Sequence, residues 1–278
     1  MDRRNLVSTE WLQEHLDAPD VVVLDGSLYM AVDGRDPNSE YLEAHIPGAL
    51  FFDINAIADT ASDLPHMLPS PAAFSSMMRK MGIGDGQTVV AYDGAGLYSA
   101  ARVWWMFKAM GAEHVHVLDG GLPKWRAEGR PLESGPVTRR ERHFTARLNH
   151  EALCDLDDMR RASASGAQIA DARSSARFNA EEPEPRPGLR GGHIPGSVCI
   201  HYASLLDSDS LMKPTETLAA IFKDAGIDPS RPVITTCGSG VTAAILALAL
   251  DEIGARQVAV YDGSWTEWGG RSDTPVEP

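Results

Sequence analysis

The feature that most constrains this chain is that its sequence is written twice. Four landmarks occur in the first half and recur, in the same order and at nearly constant separation, in the second. VVVLDGS at 21–27, AHIPGALFF at 44–52, VVAYDGAG at 89–96 and VHVLDGG at 115–121 are matched by AQIADARS at 167–174, GHIPGSVCI at 192–200, VITTCGSG at 233–240 and VAVYDGS at 258–264. A repeat on this scale implies two copies of one fold, each built the same way. Most of the landmarks are short β-branched runs ending in Asp, Cys or Gly, the form of buried parallel strands whose carboxyl ends turn into loops.

Between them lie amphipathic stretches bounded by Gly or Pro, which predict helices over 71–81, 98–110, 214–225 and 241–253. Strands alternating with helices place each half in the α/β class, a parallel sheet flanked by helices on both faces. The polar stretch from Arg130 to His150 contains two prolines and no sustained apolar period. We therefore expect a first domain at 1–134, a linker at 135–151 and a second domain at 152–278.

Composition narrows the function classes. The 278 residues are 43% hydrophobic, enough to fill two cores and to exclude a disordered chain. No apolar run approaches the roughly 20 residues of a membrane span, and the first twenty residues lack a secretory signal, so a soluble cytoplasmic protein with no membrane partner is expected. A formal charge of −14 repels phosphate backbones and argues against nucleic acid. The three cysteines, Cys154, Cys199 and Cys237, have neither disulfide-framework nor zinc-site spacing. Reduced thiols and no metal or organic cofactor are expected.

The chemistry is located by where the two copies differ. Ligand sites of open parallel sheets gather beyond the carboxyl ends of the strands. At one matched strand end the first copy reads Tyr92-Asp93-Gly94-Ala95-Gly96 and the second Thr236-Cys237-Gly238-Ser239-Gly240. Cys237 thus stands between a strand and a helix, where backbone N–H groups and the helix dipole favour an anion and hence a thiolate. Cys199 lies in an apolar strand run and Cys154 in an acidic stretch, and both are expected to be inert.

The paired HIPG segments, His45–Gly48 and His193–Gly196, together with the loop Cys237-Gly238-Ser239-Gly240-Val241-Thr242, resemble the tandem-domain rhodanese superfamily and, within it, the 3-mercaptopyruvate sulfurtransferases. The resemblance spans nearly the whole chain. It implies two rhodanese-like domains, the first non-catalytic because Asp93 occupies the cysteine position. It also implies that Cys237 carries sulfur as a persulfide among the N–H groups of Gly238, Ser239, Gly240, Val241 and Thr242. Arg177 and Arg186 match the family's two substrate-binding arginines, and a guanidinium fork suits a carboxylate. Ser239 and His66 match a proton-handling relay whose carboxylate position falls here at Asn55. An amide can orient an imidazole but cannot stabilise imidazolium as a carboxylate does. The HIPG histidines are expected to be structural groups bonding the backbone.

The implied reaction moves sulfur from 3-mercaptopyruvate to a thiol or cyanide acceptor, thioredoxin among the thiols, and releases pyruvate. The family's thiosulfate-specific members carry basic residues directly after the cysteine, where this chain has Gly238 and Ser239, so thiosulfate is the alternative donor. A cysteine phosphatase of the same fold needs an arginine six residues after the cysteine, and position 243 is Ala. A non-catalytic binding module is the remaining rival, countered by the complete loop of the second copy.

Overall fold

The structure, a computed structural model, describes residues 4–278. The strands are β1 (Leu6–Val7), β2 (Val21–Asp25), β3 (Leu50–Phe51), β4 (Thr88–Tyr92) and β5 (Val115–Leu118), then β6 (Leu153–Cys154), β7 (Gln168–Asp171), β8 (Ser197–Cys199), β9 (Val233–Thr236) and β10 (Val258–Tyr261). They form two five-stranded sheets of the same order, β1-β5-β4-β2-β3 and β6-β10-β9-β7-β8. Every strand pairing in them is parallel. The α/β class and the doubled parallel sheet read from the sequence are therefore present. The strands that end at the two differing loops, β4 and β9, are the central strands of their sheets.

The helices are α1 (Thr9–His15), α2 (Pro37–Glu43), α3 (Pro71–Met81), α4 (Ala100–Ala109) and α5 (Gly121–Ala127), followed by α6 (Leu156–Ser165), α7 (Ser175–Phe178), α8 (Thr215–Asp224), α9 (Ala243–Glu252) and α10 (Ser264–Trp268). Helix α3 has the expected bounds because its signals are local: Pro71 opens it, the Ser70 hydroxyl accepts from the Ala73 N–H, and Gly82 closes it in the left-handed region. Helices α4 and α9 are apolar nearly all round and almost wholly buried, as a helix enclosed by a core must be. Both begin two residues later than the periodicity predicts, because the preceding residues are committed to the loops. In the first copy the N–H groups of Tyr98, Ser99 and Ala100 turn onto Asp93, and in the second Gly240 adopts φ 76°.

The chain divides into two compact units. One contains the residues up to Asp59, Leu68–Asn149 and Ser208–Met212; the other contains Thr60–Met67, His150–Asp207 and Lys213–Pro278. Each copy thus gives a short segment to the other's unit, which no periodicity signals. In the first unit the Met212 N–H donates to Asp119 Oδ1 at 2.9 Å. The stretch expected as a linker lies along the first unit. Phe144 is buried edge-on to Phe74 and Phe107, the Thr145 N–H and His143 Nδ1 bond the Asp85 carboxylate, and the Arg147 and Asn149 N–H groups donate to Met110 and Ala109 carbonyls. Its polar composition reflects this edge packing rather than freedom from the fold.

The two HIPG histidines do the same structural work. His45 Nδ1 bonds the Tyr41 carbonyl at 2.7 Å and stacks on the Tyr41 ring, while His193 Nδ1 bonds the Phe178 carbonyl at 3.0 Å and stacks on Phe178. Trp104, Trp105, Trp125, Trp265 and Trp268 are buried, as core residues.

Candidate active site

The two copies present one loop with two contents. In the first unit the buried Asp93 carboxylate accepts four backbone N–H bonds from its own loop: Ala95 to Oδ1 at 2.9 Å, and Tyr98, Ser99 and Ala100 to Oδ2 at 2.8 Å each. A loop that turns four N–H groups inward is an anion cradle, and here a side chain of the protein fills it. In the second unit the same strand end carries Cys237, which is 2% exposed. Among the described residues, the N–H groups of Gly238, Ser239, Val241 and Thr242 donate to no carbonyl or side-chain oxygen.

The second loop is pinned from below by the corner between β10 and α10. Ser264, fully buried at φ 48°, accepts the Cys237 N–H on its hydroxyl at 3.2 Å and donates to the Tyr261 carbonyl at 2.7 Å. The Trp265 N–H bonds the Cys237 carbonyl at 2.9 Å, and Thr266 bonds the Gly238 carbonyl through its N–H at 2.9 Å and its hydroxyl at 2.6 Å. The matched residue of the first copy is Gly121, also at positive φ, where a Cβ would come within 2.6 Å of the Asp93 carbonyl oxygen. The sequence singled out neither Ser264 nor Thr266, although the change from VLDGG to VYDGS between copies was the available signal.

Arg177 reaches this loop. Its Nη2 lies 2.9 Å from where a Cβ on Gly238 would stand, so the guanidinium covers the residue after the cysteine. Two carboxylates fix that position through a second arginine. Glu184, with a side chain 2% exposed, accepts from Arg177 Nη2 at 2.5 Å and from Arg173 Nη1 at 2.7 Å. Arg173 is itself buried. It forks onto Asp171 through Nε and Nη2, bonds the Gly192 carbonyl, and lies over the Trp265 ring at 4.4 Å. Burial alone would lower the Arg173 guanidinium, but Asp171 and Glu184 hold it above its ordinary value. At the end of β2 the first copy has Asp25 paired with Ser27 where the second has Asp171 paired with Arg173; Arg35 forks onto Glu40 beside the Gly94 carbonyl there, but the buried arginine that links two carboxylates belongs to the second copy. His201 also lies within reach of the Arg177 charge, and burial and then Arg177 push its imidazole down.

Arg186 and His66 meet in the same unit. Arg186 Nη2 lies 3.5 Å from His66 Nε2, and since a guanidinium only donates, a hydrogen bond between them has Nε2 as its acceptor. His66 is 9% exposed and held at φ 63°, a left-handed backbone that costs a non-glycine residue about 1–2 kcal/mol and fixes where its ring points. Among the described residues, no carboxylate lies within ion-pairing distance of Arg186. Ser239 is buried, and it is not hydrogen-bonded to His66. Asn55 belongs to the first unit, where its N–H donates to Asp53. The structure thus brings Cys237, Ser239 and Arg177 together through the loop and pairs Arg186 with His66, but it draws no Ser239–His66 hydrogen bond. Burial pushes the Cys154 thiol up to about 12 and the Cys199 thiol up to about 11, which keeps both protonated and unreactive near neutral pH.

A family model described as a rhodanese-like domain matches residues 8–128 and again 155–271. The chain belongs to the rhodanese family. It is 46% identical over 276 residues to the 3-mercaptopyruvate sulfurtransferase of Escherichia coli K12, covering 98% of this chain and 97% of that one. It is 42% identical over 299 residues to a mitochondrial protein of Arabidopsis thaliana named thiosulfate/3-mercaptopyruvate sulfurtransferase 1, covering 98% and 78%. The crystal structure of the 3-mercaptopyruvate sulfotransferase SseA from Escherichia coli superposes with a TM-score of 0.86 at 42% identity, covering 94% of this chain and 98% of that one. Within this chain, Asp93 in one copy and Cys237 in the other mark the strand-end loop as a place where the two rhodanese-like copies differ.

Proposed function

We propose that this chain is a sulfurtransferase that takes sulfur from 3-mercaptopyruvate onto Cys237 as a persulfide and passes it to a thiol or to cyanide. The observation behind it is the pair of strand-end loops: one cradles a carboxylate with four N–H bonds, and its twin carries Cys237. The cradle implies an anionic group on Cys237 as its cargo, which a persulfide supplies.

In the first step the Cys237 thiolate attacks the sulfur of 3-mercaptopyruvate. The S–S bond forms as the C–S bond breaks, and its electron pair leaves with the carbon as the enolate of pyruvate. The donor's carboxylate and keto oxygen are held by Arg177 and Arg186, whose positive charge stabilises the oxygen on which the enolate charge develops. A proton then reaches the enolate carbon, and His66 and Ser239 are the groups we propose to handle it. In the second step an acceptor thiolate attacks the outer sulfur and Cys237 leaves as thiolate. Small thiols and thioredoxin are the acceptors we propose, in the cytoplasm. The first domain is non-catalytic, with Asp93 filling its cradle.

Thiosulfate is the alternative donor, because a relative 42% identical carries both donors in its name. The test is turnover with 3-mercaptopyruvate against thiosulfate, cyanide as acceptor, with Cys237→Ser as control. Preference for mercaptopyruvate that disappears in Cys237→Ser supports the proposal; preference for thiosulfate overturns the donor, and activity surviving in Cys237→Ser overturns the nucleophile. Arg186→Lys should raise the KM for mercaptopyruvate, and unchanged kinetics would remove Arg186 from the donor site.

A further inference from the structure

We propose that Glu184 is a specificity-determining residue, whose carboxylate neutralises one of the two donor-facing arginines so that the site accepts a donor with one negative charge over a donor with two. It rests on the sulfurtransferase function just proposed. Asp171, Arg173, Glu184 and Arg177 form one connected chain of alternating charge, two carboxylates and two guanidiniums, in which Glu184 is the shared partner of both arginines. The chain sums to zero. Arg186, which no carboxylate pairs among the described residues, is left as the uncompensated cation.

The burial of Glu184 makes this compensation permanent. Its side chain is 2% exposed and that of Arg177, which covers Gly238, is 20% exposed, so solvent screens the carboxylate's charge only in part. 3-Mercaptopyruvate carries one carboxylate and thiosulfate two charges, so the two donors differ by one unit of charge in the field that Glu184 sets. A unit charge about 6 Å away, at an effective dielectric of about 40, changes the binding of a second unit charge about tenfold. Glu184 also positions Arg177, but lost positioning would weaken both donors together. A charge role moves their ratio.

The test is kcat/KM for 3-mercaptopyruvate and for thiosulfate, with cyanide as acceptor, in the wild type, Glu184→Gln and Glu184→Asp. We expect Glu184→Gln to move the ratio toward thiosulfate about tenfold, and Glu184→Asp, which keeps the charge, to hold the wild-type ratio even at a lower rate. A ratio unchanged in an active Glu184→Gln enzyme, or shifted equally in Glu184→Asp, overturns the inference alone. A wild type that turns over neither donor overturns the proposed function and the inference with it. Because Glu184→Gln leaves two guanidiniums facing a neutral amide and can fail to fold, a second measurement uses the wild type. Pyruvate and sulfate are compared, at fixed ionic strength, as protectants of Cys237 against iodoacetamide. Protection by pyruvate at lower concentration than sulfate is expected, and stronger protection by sulfate overturns the inference.

Discussion

Replacing Asp93 tests whether these loops are anion cradles. The carboxylate is wholly buried and accepts four N–H bonds at 2.8–2.9 Å, three of them on Oδ2. Asp93→Ala removes the acceptor and leaves those donors facing a small void. A water can satisfy two of them, and each of the others costs about 1–3 kcal/mol as an unsatisfied buried group, so the loss is about 2–6 kcal/mol. Asp93→Asn can place its carbonyl oxygen where Oδ2 was and keep three bonds, but it turns an NH2 toward the Ala95 N–H, for a loss of about 1–3 kcal/mol. Hydrogen exchange of the α4 amides, Ala100–Ala109, with urea unfolding followed in parallel, reads both variants in the unit that contains Asp93. The expected order is wild type, then Asn, then Ala, while the folded variants keep mercaptopyruvate turnover because Cys237 lies in the other unit. If Asp93→Ala loses less than about 1 kcal/mol, the four bonds carry no net stability and the cradle argument fails.

Gly238→Ala would put a methyl 2.9 Å from Arg177 Nη2 and push the guanidinium aside, so the KM for mercaptopyruvate should rise several-fold while the thermal midpoint moves little; equal KM values would show that Arg177 does not bind donor. Thr266→Val keeps the shape but removes the hydroxyl bond to the Gly238 carbonyl, and a loss of about 0.5–1.5 kcal/mol together with a lower kcat is expected, with unchanged kcat counting against loop pinning. Cys154 is held protonated by burial well above the ordinary thiol value of 9.0, so its stabilising effect is complete below about pH 9 and is lost as the pH rises toward 12, through ionisation of the unfolded chain. The urea midpoint should therefore fall across that window, less steeply in Cys154→Ala, and identical slopes would refute the assignment.

Much of this architecture is legible in the sequence because it is written in local signals. β-branched runs, Gly and Pro boundaries and the repeat itself define both sheets, and one comparison between the copies, Asp93 against Cys237, finds the loop. What periodicity does not carry is who pairs with whom across the fold. Neither Arg173 nor Glu184 stands out in the sequence, yet in the structure Glu184 bridges Arg173 and Arg177 and leaves Arg186 to His66. The exchange of Thr60–Met67 and Ser208–Met212 between the units was likewise invisible, since both segments are short and polar. Ser27 becomes Arg173 and Gly121 becomes Ser264, and each change adds to the second copy a group that acts on the Cys237 loop or on the arginine above it.

The most direct test is the mass of the intact protein after 3-mercaptopyruvate is added with no acceptor present. The account predicts a chain heavier by one sulfur atom, the added sulfur on the peptide containing Cys237, one pyruvate released per chain, and none of this in Cys237→Ser. Pyruvate released with no sulfur retained on the protein, or the sulfur found on Cys154 or Cys199, would contradict it.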